Sequence, residues 1–190
     1  KQVNIPMVEE IGSAAFYGPK IDFIIHSKIG REFAISTNQI DLFMGERFGL
    51  KYTNTDGKEK TPVIIHRAPL GSHERFIGFL IEHFGGAFPT WLSPVQIKIL
   101  PISEKHLEYA KTVADSLRSS AVRVELDERS ETLGNKIRNA QNEKVPYMIV
   151  IGDKEIENNK ISVRNRAGES STVEISKFVK NIQKEINSKL

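Results

Sequence analysis

Apolar and polar positions repeat with clear periods through the second half of the chain. Val95, Ile97 and Ile99 alternate with Gln96 and Lys98, which is the period-two pattern of a strand. Leu107, Ala110, Val113, Ala114, Leu117 and Ala121 then recur at helical spacing behind Ser103, a candidate N-cap. Val122, Val124 and Leu126 alternate again, and Leu133, Ile137 and Ala140 mark a second, shorter helix. Residues 147–151 form a continuous apolar run of strand length that ends at Gly152-Asp153. A βαβαβ order predicts parallel strands joined by right-handed crossovers. Asn158-Asn159 reads as a turn into a strand over 160–166, where Ile161 and Val163 face one way and Ser162, Arg164 and Arg166 the other. The stripe Ile175, Phe178, Val179, Ile182, Ile186 and Leu190 predicts a closing amphipathic helix. The expected product is a mixed-sheet βαβαββα domain.

The first 92 residues carry a different pattern. Apolar-rich strands around 21–25, 33–35 and 63–66 are separated by turns with no long helix between them, which predicts an antiparallel sheet. One helix follows over 72–84, with Phe76, Leu80 and Phe84 in a row and Ile77 and Ile81 beside them. Between the halves, Pro89 and Pro94 flank Trp91, and neither helix nor strand runs easily through that stretch. The expected domains are therefore 1–92, an α+β unit, and 93–190, an α/β unit, each burying a core.

Composition narrows the classes. Hydrophobic residues make up 39% and charged residues 27% of 190, and no apolar run approaches the roughly 20 residues that span a bilayer. Lys1-Gln2-Val3-Asn4 lacks the apolar core of a signal peptide, and the absence of cysteine excludes a disulfide framework or a thiolate metal site, which fits a reducing cytoplasm. The net charge of +3 resides in the second half: ten basic against ten acidic residues in 1–92, seventeen against fourteen in 93–190. So faint a bias permits nucleic-acid binding without demanding it, because phosphate contacts need a local patch.

The chemistry concentrates at Gly71-Ser72-His73-Glu74-Arg75-Phe76-Ile77-Gly78, directly after the strand that ends in His66-Arg67. Gly71 allows a tight turn and Ser72 can cap the helix. Arg75 then falls in the first turn, where the helix dipole repels a cation and favours an anion. A bound phosphate would offset that repulsion, and so would an ion pair with Glu74 or Glu82. His66 has two readings as well, a satisfied core residue or a metal ligand.

This stretch resembles motif 3 of the class II aminoacyl-tRNA synthetases in the form found in threonyl-tRNA synthetases. Three other stretches agree in order and spacing: 15–22 (Ala-Phe-Tyr-Gly-Pro-Lys-Ile-Asp), 36–41 (Ser-Thr-Asn-Gln-Ile-Asp) and 88–96 (Phe-Pro-Thr-Trp-Leu-Ser-Pro-Val-Gln). The second half resembles the anticodon-binding domain through Leu133-Gly134-x-Lys136-Ile137-Arg138, Val145-Pro146-Tyr147-Met148, Gly152-Asp153-Lys154-Glu155 and Val163-Arg164-x-Arg166. The resemblance implies the end of a catalytic domain followed by an anticodon-binding domain.

It also implies roles for individual residues. Arg75, with Ser72 and Gly71, would hold ATP, which enters as substrate with Mg2+, and the charge of Lys20 would lie close to the adenylate or the tRNA end. Tyr17, Thr37 and Gln39 would shape the threonine and adenylate pocket. His66 would be one of three protein ligands to zinc, the others being a cysteine and a histidine upstream of Lys1. Arg138, Glu155, Arg164 and Lys144 would meet the anticodon. Ala34 stands where many members carry glutamine, and Ser130 and Thr132 stand where relatives often have Asn or Asp and Lys.

The reaction implied is attack of the threonine carboxylate on the α-phosphate of ATP, then transfer of the acyl group to the terminal ribose of the tRNA. The full-length enzyme is implied to be a cytoplasmic homodimer with no membrane attachment. With motifs 1 and 2 expected upstream, this chain alone should bind little zinc and should not activate threonine. The alternatives are an RNA-binding anticodon module and a synthetase-like accessory protein without catalysis.

Overall fold

The computed structural model describes residues 6–27 and 29–189 in two compact units that divide between His83 and Phe84. Lys1-Gln2-Val3-Asn4 and Leu190 lie outside the described residues. The first unit contains β1 (Lys20–His26), β2 (Glu32–Asp41), a single-turn α1 (Met44–Arg47), a small hairpin of β3 (Tyr52–Thr53) and β4 (Glu59–Lys60), β5 (Ile64–Ala68) and α2 (His73–Phe84). Strands β1, β2 and β5 form an antiparallel sheet in that order, as the turn-separated apolar runs predict.

Register decides which side chains share a face. Lys20 pairs with Gln39, Asp22 with Thr37, Gln39 with His66 and Thr37 with Ala68. Because partners across an antiparallel ladder lie on one side, a polar face runs across all three strands. The other face carries Ile21, Phe23, Ile40 and Ile65, all exposed, and Phe79 is the only buried hydrophobic residue of this unit among the described residues. The expectation that each half can bury a core of its own is not met among the described residues here: the apolar residues of this sheet are present, but no described residue of the unit covers them.

The second unit contains β6 (Ile97–Pro101), a 3-10 turn over Glu104–His106, α3 (Leu107–Ser119), β7 (Val124–Leu126), α4 (Leu133–Asn142), β8 (Tyr147–Ile151), α5 (Asp153–Asn158), β9 (Ile161–Asn165), β10 (Ser170–Val173) and α6 (Ile175–Ser188). Its five strands run in the order β10-β9-β8-β6-β7. The β6–β7 and β6–β8 pairs are parallel, and β8–β9 and β9–β10 are antiparallel. On one face Ile97, Ile99, Ile149, Ile151, Ile161 and Val163 pack with Val113, Ala114 and Leu117 of α3 and Phe178 and Ile182 of α6. On the other, Leu100 and Met148 pack with Leu133, Ile137 and Ala140 of α4. Full burial of each isoleucine, valine, leucine, phenylalanine or methionine among these stabilises by about 1.5–3 kcal/mol, so this unit has a core of its own.

Residues 84–92, nine positions ahead of the boundary expected at 92/93, are wired into the second unit. The Arg166 guanidinium donates to the carbonyls of Ala87 (3.2 Å), Phe88 (2.9 Å) and Lys144 (2.6 Å). Arg123 donates to the Trp91 carbonyl (2.8 Å), and the Gln96 side chain donates to that of Thr90 (2.9 Å).

A buried polar cluster orders the start of α4. Lys136, 3% exposed, donates through Nζ to the carbonyls of Pro101 (3.0 Å) and Asp127 (3.2 Å), so the lysine of the Leu-Gly-x-Lys motif is structural. Asp127 receives a bidentate pair from Arg129 at 2.8 and 2.6 Å, and that guanidinium holds its carboxyl below the ordinary value of 3.8 against the opposing effect of burial. A carboxyl depressed in the folded state contributes stability that is present above its unfolded pKa and lost as pH falls through the folded one. Asp127→Asn should therefore be less stable than the parent at pH 7. Urea midpoints measured from pH 7 downward should converge below pH 3.8.

Candidate functional site

The polar face of the three-stranded sheet borders a cavity of about 520 Å3, lined by Phe16, Tyr17, Thr37, Gln39, Asp41, Met44, His66, Arg67 and Ala68. Strand alternation places Thr37, Gln39 and Asp41 on one side of β2, and ladder pairing puts His66 beside Gln39. Tyr17 arrives from the turn before β1. There the Leu42 N–H donates to the Tyr17 carbonyl (2.9 Å), and a Cβ on Gly18, whose φ is +152°, would lie 2.1 Å from the Ile40 carbonyl oxygen. Only glycine permits so close an approach. The Tyr17 hydroxyl is hydrogen-bonded to Gln39 Oε1, Gln39 Nε2 lies 3.5 Å from Thr37 Oγ1, and the Tyr17 ring meets His66 edge to face with centroids 5.8 Å apart.

Two carboxylates complete this face. Asp22 Oδ2 lies 2.6 Å from Lys20 Nζ, and that contact holds the Asp22 carboxyl below and the Lys20 ammonium above their ordinary values. Asp41 is 1% exposed. Its Oδ2 lies 2.8 Å from His66 Nε2, while Oδ1 accepts from the N–H groups of Phe43 (2.9 Å) and Met44 (2.8 Å). Burial raises the Asp41 carboxyl, but the hydrogen bonds from His66, Met44 and Phe43 outweigh it and leave a net depression.

Of the residues expected here, Tyr17, Thr37, Gln39 and His66 gather around the cavity, and Lys20 stands beside Gln39 on the same face. Gly71, Ser72 and Arg75 do not line it. They form the opening of α2, where Gly71 adopts φ +63° and Ser72 Oγ accepts from the Arg75 N–H at 3.2 Å. Arg75 is exposed and makes no ion pair among the described residues with Glu74 or Glu82. Phe16, Asp22, Asp41 and Arg67 were not singled out by the sequence. The i, i+2, i+4 series Thr37, Gln39, Asp41 was the signal that could have marked the buried carboxylate.

In the second unit, Arg138 is exposed on α4. Arg164 shares with Ser162 the face of β9 opposite Ile161 and Val163, which is also the face that packs α4. Its Nε is buried with no hydrogen-bond partner among the described residues. Glu155 Oε2 accepts from the Gly152 N–H at 2.9 Å and so caps α5. Lys144 donates its ammonium to the Gly85 carbonyl, which ties it to the segment before β6.

Known proteins match both units. A family model described as the tRNA synthetase class II core domain (G, H, P, S and T) matches residues 2–84, and one described as the anticodon binding domain matches 96–185. A threonine–tRNA ligase of Caldanaerobacter subterraneus subsp. tengcongensis is 50% identical over the whole chain, which covers 30% of that relative. One of Thermotoga maritima is 53% identical over 94% of the chain, which covers 28% of it. The chain thus spans about 30% of the length of the curated relatives it matches. Among solved structures, the RNA binding domain of threonyl-tRNA synthetase from Cryptosporidium parvum Iowa II superposes with a TM-score of 0.78 at 38% identity, covering 92% of this chain and 44% of that one. Prolyl-tRNA synthetase from Cryptosporidium parvum superposes at 0.77 with 22% identity, covering 95% and 39%, which is a likeness of fold.

Proposed function

We propose, from the premise that this chain is homologous along its whole length to threonine–tRNA ligases, that it serves the ATP-dependent ligation of threonine to its tRNA. Residues 1–92 would be the end of the class II catalytic domain and 93–190 the anticodon-binding domain. One observation supports this most: Tyr17, Thr37, Gln39 and His66, spread over 50 positions of sequence, line a single cavity. The family resemblance extends the proposal to a cytoplasmic homodimer; no helix among the described residues is long and apolar enough to cross a membrane.

The cavity would hold threonine. The Tyr17 hydroxyl and the Gln39 amide, already bonded to each other, offer a donor and an acceptor that can turn to a polar substrate. Threonine differs from valine by one hydroxyl, and an apolar pocket separates such isosteres only about a hundredfold. A zinc ion bound at this site would add contacts to the amino group and hydroxyl that valine cannot reproduce. His66 fits one corner of such a site, a cavity-lining imidazole backed by a buried carboxylate. Among the described residues no three His, Asp, Glu or Cys side chains converge, so this chain supplies one ligand rather than a set.

ATP, with Mg2+, would be met by Arg75 at the opening of α2, with Ser72 and Gly71 shaping the turn. These residues and Lys20 would position and neutralise charge rather than attack substrate. Arg138, Arg164 and Glu155 would face the anticodon, arginine giving most of the affinity and the carboxylate accepting from a base amino group.

Among the described residues the second unit buries its own core and the first does not, so tRNA binding is the activity this chain should show by itself. Titration with threonine tRNA and with a copy whose anticodon is replaced tests the reading. The matched tRNA should bind about tenfold tighter or more, and equal affinities would reduce the interaction to phosphate attraction.

A further inference from the structure

Strand β10 forms one edge of the five-stranded sheet, and among the described residues nothing pairs with its outer side. The Asn165 N–H donates to the Glu169 carbonyl at 3.0 Å, which fixes the alternation along this hairpin. Ser171 opposite Val163 and Val173 opposite Ile161 therefore exchange bonds with β9, whereas Ser170 and Thr172 turn their N–H and C=O groups outward. Sheet edges are commonly blunted by lysine, proline or a bulge, and Ser170-Ser171-Thr172 carries none of these.

A second cavity, of about 300 Å3, opens between this edge and α6. Val163, Val173, Phe178 and Ile182 supply its apolar wall, and the exposed Ser171 also lines it. Glu185, which lines it too, is already committed to the hydroxyls of Tyr147 (2.7 Å) and Thr90. Glu169 and Glu174 flank β10, five positions apart and exposed. No Lys or Arg among the described residues forms an ion pair with either; Lys177, also exposed, lies in the first turn of α6 and pairs with neither.

We propose that the β10 edge is a docking site for an extended basic segment of a partner protein, which adds an antiparallel strand to β10 and seats one apolar side chain between β10 and α6. Main-chain bonds to Ser170 and Thr172 supply affinity, and the cavity and the two carboxylates supply selectivity. The segment's residue opposite Ser171 points to the α6 side; a lysine three positions before it meets Glu174 and one two positions after it meets Glu169. The free carboxylates repel phosphate, which disfavours nucleic acid here. A second copy of the chain would bring its own Glu169 and Glu174 into the same short ladder, so it fits worse than a basic segment.

The probe is the capped peptide Lys-Thr-Thr-Leu-Thr-Lys, titrated into the 15N-labelled whole chain. The amides of Ser170 and Thr172 should shift and exchange more slowly, with further shifts at Phe178 and Ile182. Replacing both probe lysines with glutamate should weaken binding about tenfold or more, because two attractions become two repulsions. Thr172→Pro removes an outward N–H without touching the β9 ladder, so it should abolish peptide binding and leave the rest of the spectrum in place. Glu169→Lys should weaken the parent probe and favour a probe whose last lysine is glutamate; this charge swap decides the matter if the proline variant does not fold. Equal affinity for the two probes, no binding at millimolar peptide, or shifts centred on Arg164 and Ser162 would overturn the proposal. So would β10 shifts that grow with protein concentration alone, which would give the edge to a second copy, or the same shifts evoked by an RNA hairpin.

Discussion

Replacing Arg164 with alanine should weaken binding of threonine tRNA by about ten- to a hundredfold and remove most discrimination against the anticodon-substituted copy, with the fold of the second unit retained. Arg164 projects from β9 on the face away from α3 and α6, so its removal opens no cavity among Ile161, Val163, Phe178 and Ile182. A planar guanidinium that hydrogen-bonds a base is worth about 1–3 kcal/mol. Each 1.4 kcal/mol is a factor of about ten in affinity, which sets the range. Affinities from fluorescence anisotropy at fixed salt, with thermal midpoints in parallel, check it. An unchanged ratio between the two tRNAs would contradict the assigned role.

Two residues further on, Arg166→Ala should do the opposite and destabilise the unit while leaving anticodon discrimination intact. Its guanidinium bridges the carbonyls of Ala87, Phe88 and Lys144 through four hydrogen bonds. Bonds from a charged donor contribute about 1.5–3 kcal/mol each when buried, but this side chain is exposed and water competes, so the net loss should be about 2 kcal/mol. For a domain of about 100 residues that lowers the melting midpoint by roughly 8–16 °C. Limited proteolysis should also cut the 84–92 segment faster, because its carbonyl anchors are gone. Two arginines on one strand would thus divide between recognition and architecture.

That division was not legible in the sequence, where alternation alone places Arg164 and Arg166 on the same face. What separates them is the segment folded back over Arg166, and its path depends on contacts between residues almost 80 positions apart. The long periodic elements were legible because their patterns are set by burial: β6, α3, α4, β8 and α6 appear where the apolar spacing predicts. Elements held by local polar bonds were not. Helix α5 is capped by Glu155 on the Gly152 N–H, β10 is a hydroxyl-rich edge of Ser170, Ser171 and Thr172, and α1 is started by Asp41 at the end of a strand. None of these carries an apolar period to detect.

The candidate site was legible in a similarly uneven way. Resemblance named Tyr17, Thr37, Gln39 and His66, and the cavity gathers them. Asp22 and Asp41 close two of the quoted stretches but were given no role, because only the structure shows that Asp22 meets Lys20 and Asp41 meets His66. The missing core of the first unit was the opposite case. Apolar strands predict burial, but Ile21, Phe23, Ile40 and Ile65 remain uncovered because a sheet face requires a second layer to bury it.

The central claim, that one face of the second unit reads an anticodon, is tested most directly by mapping amide and guanidinium NMR shifts of the labelled chain as an RNA hairpin carrying the threonine anticodon is added. The largest changes are expected at Arg164, Ser162, Glu155 and Arg138, and much smaller ones with a hairpin of altered anticodon. Changes confined to the outer surfaces of α3 and α6, or identical for the two hairpins, would contradict it.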